Sequence, residues 1–409
     1  MSWNFRGLAP LATITALLMG TTLGLSGHAI AQQAPEKIRI GYAVSLTGPF
    51  AGPASMLTVA NYRLWVKEVN AKGGILIKSL NKRIPVELIE YDDTSNPENA
   101  IRLTERLMVD DKVDFALPPW GTANNLAVAP VFKKHGYPQL ASTAVANGED
   151  ALVKRFDTLF FMGPESSAYA NALVEVLGGL KKDGKINNKV AVLSVADQFG
   201  ADLNAAASKS FKEGGFESLV NKTYPMASRD LSSEIKQAQE SGADSFVAFS
   251  YPPDTFMIAG QAQTQGYNPK VFYSAVGTAF PGYYARFGAK TQGVLGAGGW
   301  DRSSPGAEAY FKAFKEMTNN EPDRWGAPVT YASVQVLEQA IESAGIDRKK
   351  VIDALRKQTF STVAGTFSFD NQIRQNQPLV SQWQNGEFVM LLPPNAPGTK
   401  PILFPKPAW

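Results

Sequence analysis

The chain has 409 residues, enough for two domains that each bury a core. Hydrophobic residues make up 44% and charged residues 19%, which excludes a disordered chain, and the lack of cysteine excludes disulfides, thiolate chemistry and a lipid anchor on an N-terminal Cys. The net charge of +3 falls to +2 without Arg6, too even a balance for a nucleic-acid-binding or membrane-surface stripe.

At the N-terminus Arg6 precedes an apolar stretch over residues 8–25, then His28-Ala29-Ile30-Ala31-Gln32 with its Ala-x-Ala pattern. This reads as a secretory signal peptide over residues 1–31, cut after Ala31. The rival is an uncleaved membrane anchor, which Pro10, Thr13, Thr15, Thr21 and Thr22 weaken. No later stretch is apolar for long enough to span a bilayer. The expectation is a soluble periplasmic protein that is not a lipoprotein.

Residues 37–44 alternate as a strand, and Leu46-Thr47-Gly48-Pro49 is its turn. Helical spacing over 55–69 ends at Lys72-Gly73-Gly74. A strand over 84–91 closes on Asp92-Asp93-Thr94, and a helix follows over 97–111. Residues 112–116 read as a short buried strand, broken by Pro118-Pro119 and restarted as a helix near Thr122, where Ala127, Val128, Val131 and Phe132 recur at helical spacing. A strand over 139–141 leads into the turn Ser142-Thr143-Ala144-Val145. Alternation then resumes with helices over 167–180, 201–213, 231–241 and 254–265 between strands over 189–195, 218–224, 244–249 and 270–274. Such repeats mean parallel sheets with helices on both faces, here in two runs of broadly 36–162 and 165–298. Three helices follow over 306–317, 329–343 and 348–358, then a strand over 367–370, a hairpin turning at Asn385-Gly386, and a proline-rich extension over 393–409.

The restart at Trp120-Gly121-Thr122 carries the first candidate chemistry. A helix start leaves backbone N–H groups at Gly121 and Thr122, and with the helix dipole and the Thr122 hydroxyl they suit a carboxylate. Trp120 adds an apolar face. Taken alone, the stretch reads better as an ordinary capped helix with Trp120 in the core.

Enzyme chemistry lacks its reagents. Beyond the leader the chain has one histidine, His135, on a helix end beside Lys133 and Lys134, so catalytic triads and His-based zinc sites find no residues. Asp92 and Asp93 read as a turn and helix cap before Thr94-Ser95-Asn96-Pro97 more readily than as a cation site. The run from Gly293 to Gly299 reads as a connector needing permissive backbone. Binding chemistry is present, because Trp120, Thr143, Phe199 and Tyr251 each fall just past a strand, where ligands gather in open α/β sheets.

Ile38-Arg39-Ile40-Gly41 through Ser45-Leu46-Thr47-Gly48-Pro49, then Val69-Asn70-Ala71-Lys72-Gly73-Gly74-Ile75 and Tyr91-Asp92-Asp93 resemble the leucine/isoleucine/valine-binding proteins, periplasmic receptors of branched-chain-type ABC importers. Asp197-Gln198-Phe199-Gly200 and Thr330-Tyr331-Ala332 extend the resemblance over nearly all of the chain beyond the leader. It implies an α/β fold of two Rossmann-like lobes joined by three crossovers, the type I periplasmic binding protein, with ligand trapped between the lobes. The crossovers are expected near 163–166, 298–302 and 362–365. Lobe 1 is then 36–163 plus 300–362, and lobe 2 is 164–299 plus 363–392.

The resemblance also implies a site. The family's carboxylate-binding Ser matches Thr122, its ligand-facing turn matches Thr143-Ala144-Val145, and its aromatic and further Tyr match Phe199 and Tyr251. Its second hydroxyl falls on Val145. The acid that pairs with the ligand ammonium falls on Val276, and the stretch from Tyr273 to Phe280 holds no carboxylate. The expected ligand set is therefore Trp120, Gly121, Thr122, Thr143, Ala144, Val145, Tyr169, Phe199, Tyr251 and Val276, around an apolar or aromatic carboxylate. The alternatives are a branched-chain or other amino acid, with Glu165 or Asp254 supplying the acid, or a ligand sensor for a membrane receptor. No cofactor, metal or nucleic acid is expected, and the partners are the small ligand and an ABC membrane permease, with the protein a monomer.

Overall fold

The computed structural model describes residues 35–375, 379–394 and 398–409. The expected leader over 1–31 lies outside the described residues.

The first run builds a parallel sheet in which strand Ile38–Val44 lies between Val86–Asp92 and Phe115–Leu117. Strand Gln139–Ala141 packs beside Phe115–Leu117 and pairs in parallel with Leu159–Phe161. The local chemistry is simple. Asn96 caps helix Pro97–Val109 by accepting from the N–H groups of Glu98 and Asn99, with Pro97 at the first helical position where no N–H is needed. Helix Thr122–His135 stops at Gly136, whose φ of 69° lies in the left-handed region. His135 at that end meets Glu105 Oε1 at 2.8 Å.

The second run builds a seven-stranded sheet. Strands Glu217–Tyr224, Lys189–Val195, Ser245–Phe249, Val271–Ser274 and Leu295–Ala297 lie parallel in that order, and the hairpin Val380–Gln384 and Glu387–Leu392 adds the far edge antiparallel. Gln384 and Glu387 pair across Asn385-Gly386, both at positive φ, as a two-residue hairpin turn requires.

The late helices dock on the first run. Helix Gly326–Ala344 packs on helix Ala60–Ala71, where Glu338 accepts from the Trp65 indole at 2.8 Å, and the Tyr310 hydroxyl donates to Asn61 Oδ1 at 2.8 Å. One connection differs from expectation. Strands Thr359–Thr362, Gly365–Asp370 and Ile373–Arg374 pair successively and reach Phe161, so they extend the sheet of Gln139–Ala141 and Leu159–Phe161 in the first lobe. A crossover near 362–365 assigned residues 363–374 to the second lobe; the chain instead leaves the first lobe after Arg374. Their short alternating pattern fits either sheet, and only the pairing to Leu159–Phe161 decides. Two short elements, hairpin Ile75–Ile77 with Lys82–Ile84 and helix Glu149–Arg155, were not anticipated.

The described residues of 393–409 contain no helix or strand but lie along the second lobe. The Lys406 N–H donates to Lys270 O at 3.1 Å, and the Trp409 indole donates to Tyr267 O at 2.6 Å. No helix among the described residues is long and apolar enough to cross a membrane.

Candidate functional site

The loops beyond the strand ends of the two lobes meet. From the first lobe come Trp120 and the turn Ser142-Thr143-Ala144-Val145. From the second come Phe199, Tyr251 and Val276. Leu57, Gly163, Trp325, Gly326 and Val329 complete the wall of a cavity of about 30 Å³, room for about two water molecules.

Local structure explains how each side chain reaches it. Asp92 Oδ1 accepts from the N–H groups of Leu46, Thr47 and Thr94, and Asp93 Oδ1 accepts from the Ser45 hydroxyl and the Ser95 N–H. The acidic pair therefore holds the turn after the first strand, and the Ser95 hydroxyl accepts the Phe50 N–H at 3.1 Å. That turn delivers the Phe50 ring to within 5.0 Å of Trp120 and 5.4 Å of Tyr251, centroid to centroid. Asp197 caps helix Gln198–Glu213 by accepting the Gly200 N–H at 3.0 Å, and its other oxygen accepts from the Tyr251 hydroxyl at 2.7 Å. With its phenol so held, Tyr251 stacks on Phe199 at 4.8 Å and 22°, and meets Trp120 at 5.3 Å. Aromatic rings of both lobes thus touch edge and face, arrangements that their quadrupoles favour.

Seven of the ten expected residues line the cavity: Trp120, Thr143, Ala144, Val145, Phe199, Tyr251 and Val276. The other three act behind them. The Gly121 N–H donates to Thr143 Oγ1 at 3.0 Å. The Thr122 hydroxyl accepts the Val145 N–H at 3.0 Å and donates back to Val145 O at 3.3 Å. A Thr at the helix start therefore clamps the turn of the neighbouring strand, where the bare sequence pointed to a free hydroxyl. The Tyr169 hydroxyl accepts from the Trp325 indole at 3.0 Å and holds that ring in place.

The electrostatics of the wall are one-sided. Among the described residues no ionisable side chain other than the Tyr251 phenol lines the cavity. Burial raises the Asp197 carboxyl above its usual range, partly countered by the Gly200 N–H and the Tyr251 hydroxyl, and that carboxyl is already occupied by both. Asp254, pushed up to about 6 by burial, takes a hydrogen bond from Tyr224 at 3.4 Å. Glu165 accepts from the Ser167 hydroxyl. Neither Glu165 nor Asp254 lines the cavity. One polar atom of the wall stands unpaired: the Trp120 indole N–H, on a side chain 2% exposed, has no acceptor among the described residues. Among these residues no group of three or more His, Cys, Asp or Glu is placed to hold a metal.

Trp325, Leu57 and Val329 went unrecognised in the sequence. Trp325 precedes helix Gly326–Ala344, whose first N–H groups bond to Asp323: Gly326 at 3.0 Å and Ala327 at 2.6 Å. An Asp three residues before Gly326 is a readable cap, but the helical period becomes clear only near Val329, so Trp325 fell in an apparent connector. The lobes are bridged by Asn147 Nδ2 donating to Asp202 O at 2.7 Å, and by the Arg324 N–H donating to Ala279 O at 3.1 Å.

Residues 37–387 match a family model described as periplasmic binding protein. Leu/Ile/Val-binding protein homolog 7 of Brucella suis biovar 1 is 25% identical over 377 residues, covering 84% of this chain and 90% of the relative. Two solved structures share the fold. The branched-chain amino acid transporter substrate-binding protein LivJ of Streptococcus pneumoniae, in complex with isoleucine, aligns with TM-score 0.73 at 21% identity over 86% of this chain and 97% of its own. A solute-binding protein of an ABC transporter from Rhodopseudomonas palustris BisB5, in complex with 3,4-dihydroxybenzoic acid, aligns with TM-score 0.73 at 20% identity over 87% and 95%.

Proposed function

Because the chain belongs to the periplasmic binding protein family, a family of transporter substrate-binding proteins and not enzymes, we propose that its cleft captures a small carboxylate with an apolar or aromatic body and delivers it to an ABC permease. The observation that carries this reading is the Trp120 indole N–H, a buried donor without an acceptor on a wall that has no carboxylate. A buried donor left unmade costs about 1–3 kcal/mol, so a ligand that brings an acceptor to it gains what the folded chain forgoes. An α-ammonium in the same closed cleft would have no anionic partner, and an unpaired buried charge is costly. Phe199, Tyr251 and Trp120 instead offer π faces to an apolar body. Export by a signal peptide and residence in the periplasm follow from the same reading.

Titration calorimetry with leucine and phenylalanine against benzoate and 3-phenylpropanoate tests the proposal. Binding of the deaminated acids is expected, with weak or no response to the amino acids. Tight leucine binding without response to the deaminated acids overturns it and leaves the branched-chain alternative.

A further inference from the structure

Trp325 stands between two spaces. On one side is the cleft cavity of about 30 Å³. On the other, at the hinge, is a cavity of about 640 Å³ that shares Trp325 and Val329 as wall and is also lined by Trp300, Phe367 and Met390 together with the charged Asp301, Asp370 and Arg374. Ligand pockets typically span about 300–1,000 Å³, so the cleft side alone is an order of magnitude short and the hinge side is of ordinary ligand size.

The indole is held by Tyr169 and seated against Gly298. Its N–H donates to Tyr169 at 3.0 Å, and the two rings meet edge to face at 5.8 Å. Gly298, at φ +80°, gives it room: a Cβ there would stand 2.0 Å from Trp325 Cδ1. Its backbone leads directly into the Asp323-capped helix start, which does not depend on the indole.

We propose that Trp325 is the specificity-determining residue of the cleft, a plug whose indole sets the length of ligand accepted by closing the way into the hinge-side cavity. Tyr169 is its positioning residue. The proposal rests on the carboxylate reading above for the class of ligand, but the plug itself is a matter of shape. Once the lobes part, a short acid lies against Phe199 and Tyr251 with the plug still in place. An acid with a longer chain needs the space behind Trp325, and meets the ring.

The test is calorimetry of the parent, Trp325→Ala, Trp325→Phe and Tyr169→Phe with two series matched in length. One is benzoate, phenylacetate, 3-phenylpropanoate and 4-phenylbutanoate; the other is alanine, leucine, phenylalanine and homophenylalanine. In whichever series the parent binds, Trp325→Ala is expected to raise the affinity of the longest member relative to the shortest at least tenfold. Tyr169→Phe, which removes only the hold on the indole, shifts that ratio the same way by less. An unchanged ratio in folded Trp325→Ala overturns the plug; should that variant not fold, the ratio in Trp325→Phe and Tyr169→Phe decides in the same terms. Binding confined to the amino acids overturns the carboxylate reading while the ratio within that series still judges Trp325. No binding of either series counts against both.

Discussion

The Tyr251 hydroxyl donates to Asp197 Oδ2 at 2.7 Å, so the aromatic that faces the cleft is aimed by the carboxylate that caps the next helix over. The pairing serves two ends. It fixes the ring that stacks on Phe199, and it occupies the Asp197 carboxylate with protein donors.

Tyr251→Phe keeps the ring and removes that hydrogen bond. Asp197 retains the Gly200 N–H, so the expected loss is about 1–2 kcal/mol of folding stability, read by urea unfolding. Affinity for an apolar acid should change less than twofold, because the π face stays. A large loss of affinity with no loss of stability would show the hydroxyl meeting the ligand directly.

Thr122→Val replaces the clamp on Val145 with an isostere. It leaves the Val145 N–H and C=O without the hydroxyl that serves both, and the expected cost is about 1–3 kcal/mol of stability. Thr122→Ser should restore most of it. Equal stability of Val and Thr at this position would mean the clamp contributes nothing and returns the hydroxyl to the ligand.

Trp120→Phe removes the unpaired indole N–H while keeping an aromatic face. If a ligand acceptor pairs with that donor, affinity drops by about 1.5–3 kcal/mol, as for a hydrogen bond to a charged group. In the same variant stability should hold or rise, since an orphaned donor is gone. Quenching or enhancement of tryptophan fluorescence on binding should also diminish.

Glu149 governs the pH response. Its side chain is fully buried, neither carboxyl oxygen has a donor among the described residues, and burial, with Glu165 and Asp150 adding repulsion, pushes it from 4.5 up to about 9. A raised acid is bound to its proton in the folded state where the unfolded state has lost it. Its contribution is therefore complete below about pH 4.5 and declines as pH rises toward about 9. Asp254 and Asp323, both raised to about 6, add the same trend but complete it at lower pH. Lys406, lowered to about 7 by burial, acts with the opposite sign and favours the fold as pH rises above that value. The difference between parent and Glu149→Gln isolates the one group: the variant should melt about 2–4 °C or more above the parent near pH 9, and the gap should shrink toward pH 5. A gap that does not vary with pH would mean that Glu149 finds a partner in solution.

Sequence alone determined whatever local periodicity and residue identity can carry. The two strand–helix runs follow from spacing, the helix start at Thr122 and the Asn385-Gly386 turn from backbone chemistry, and the lack of any carboxylate from Tyr273 to Phe280 from identity. Tertiary structure decided what depends on partners distant along the chain. Strand Gly365–Asp370 has an alternating pattern that fits either sheet, and its lobe is set by pairing that leads to Phe161. The Thr122 hydroxyl became a clamp only because the Val145 turn of another strand lies against it. Trp325 sits in a stretch without period, so nothing local marks it; its place in the wall comes from Gly298 and Tyr169, on separate elements, leaving a ring-sized gap and an acceptor. Burial is likewise a property of the whole assembly, which is why Glu149, an unremarkable acid at the head of a short helix, becomes a buried carboxyl that holds its proton in the folded chain alone.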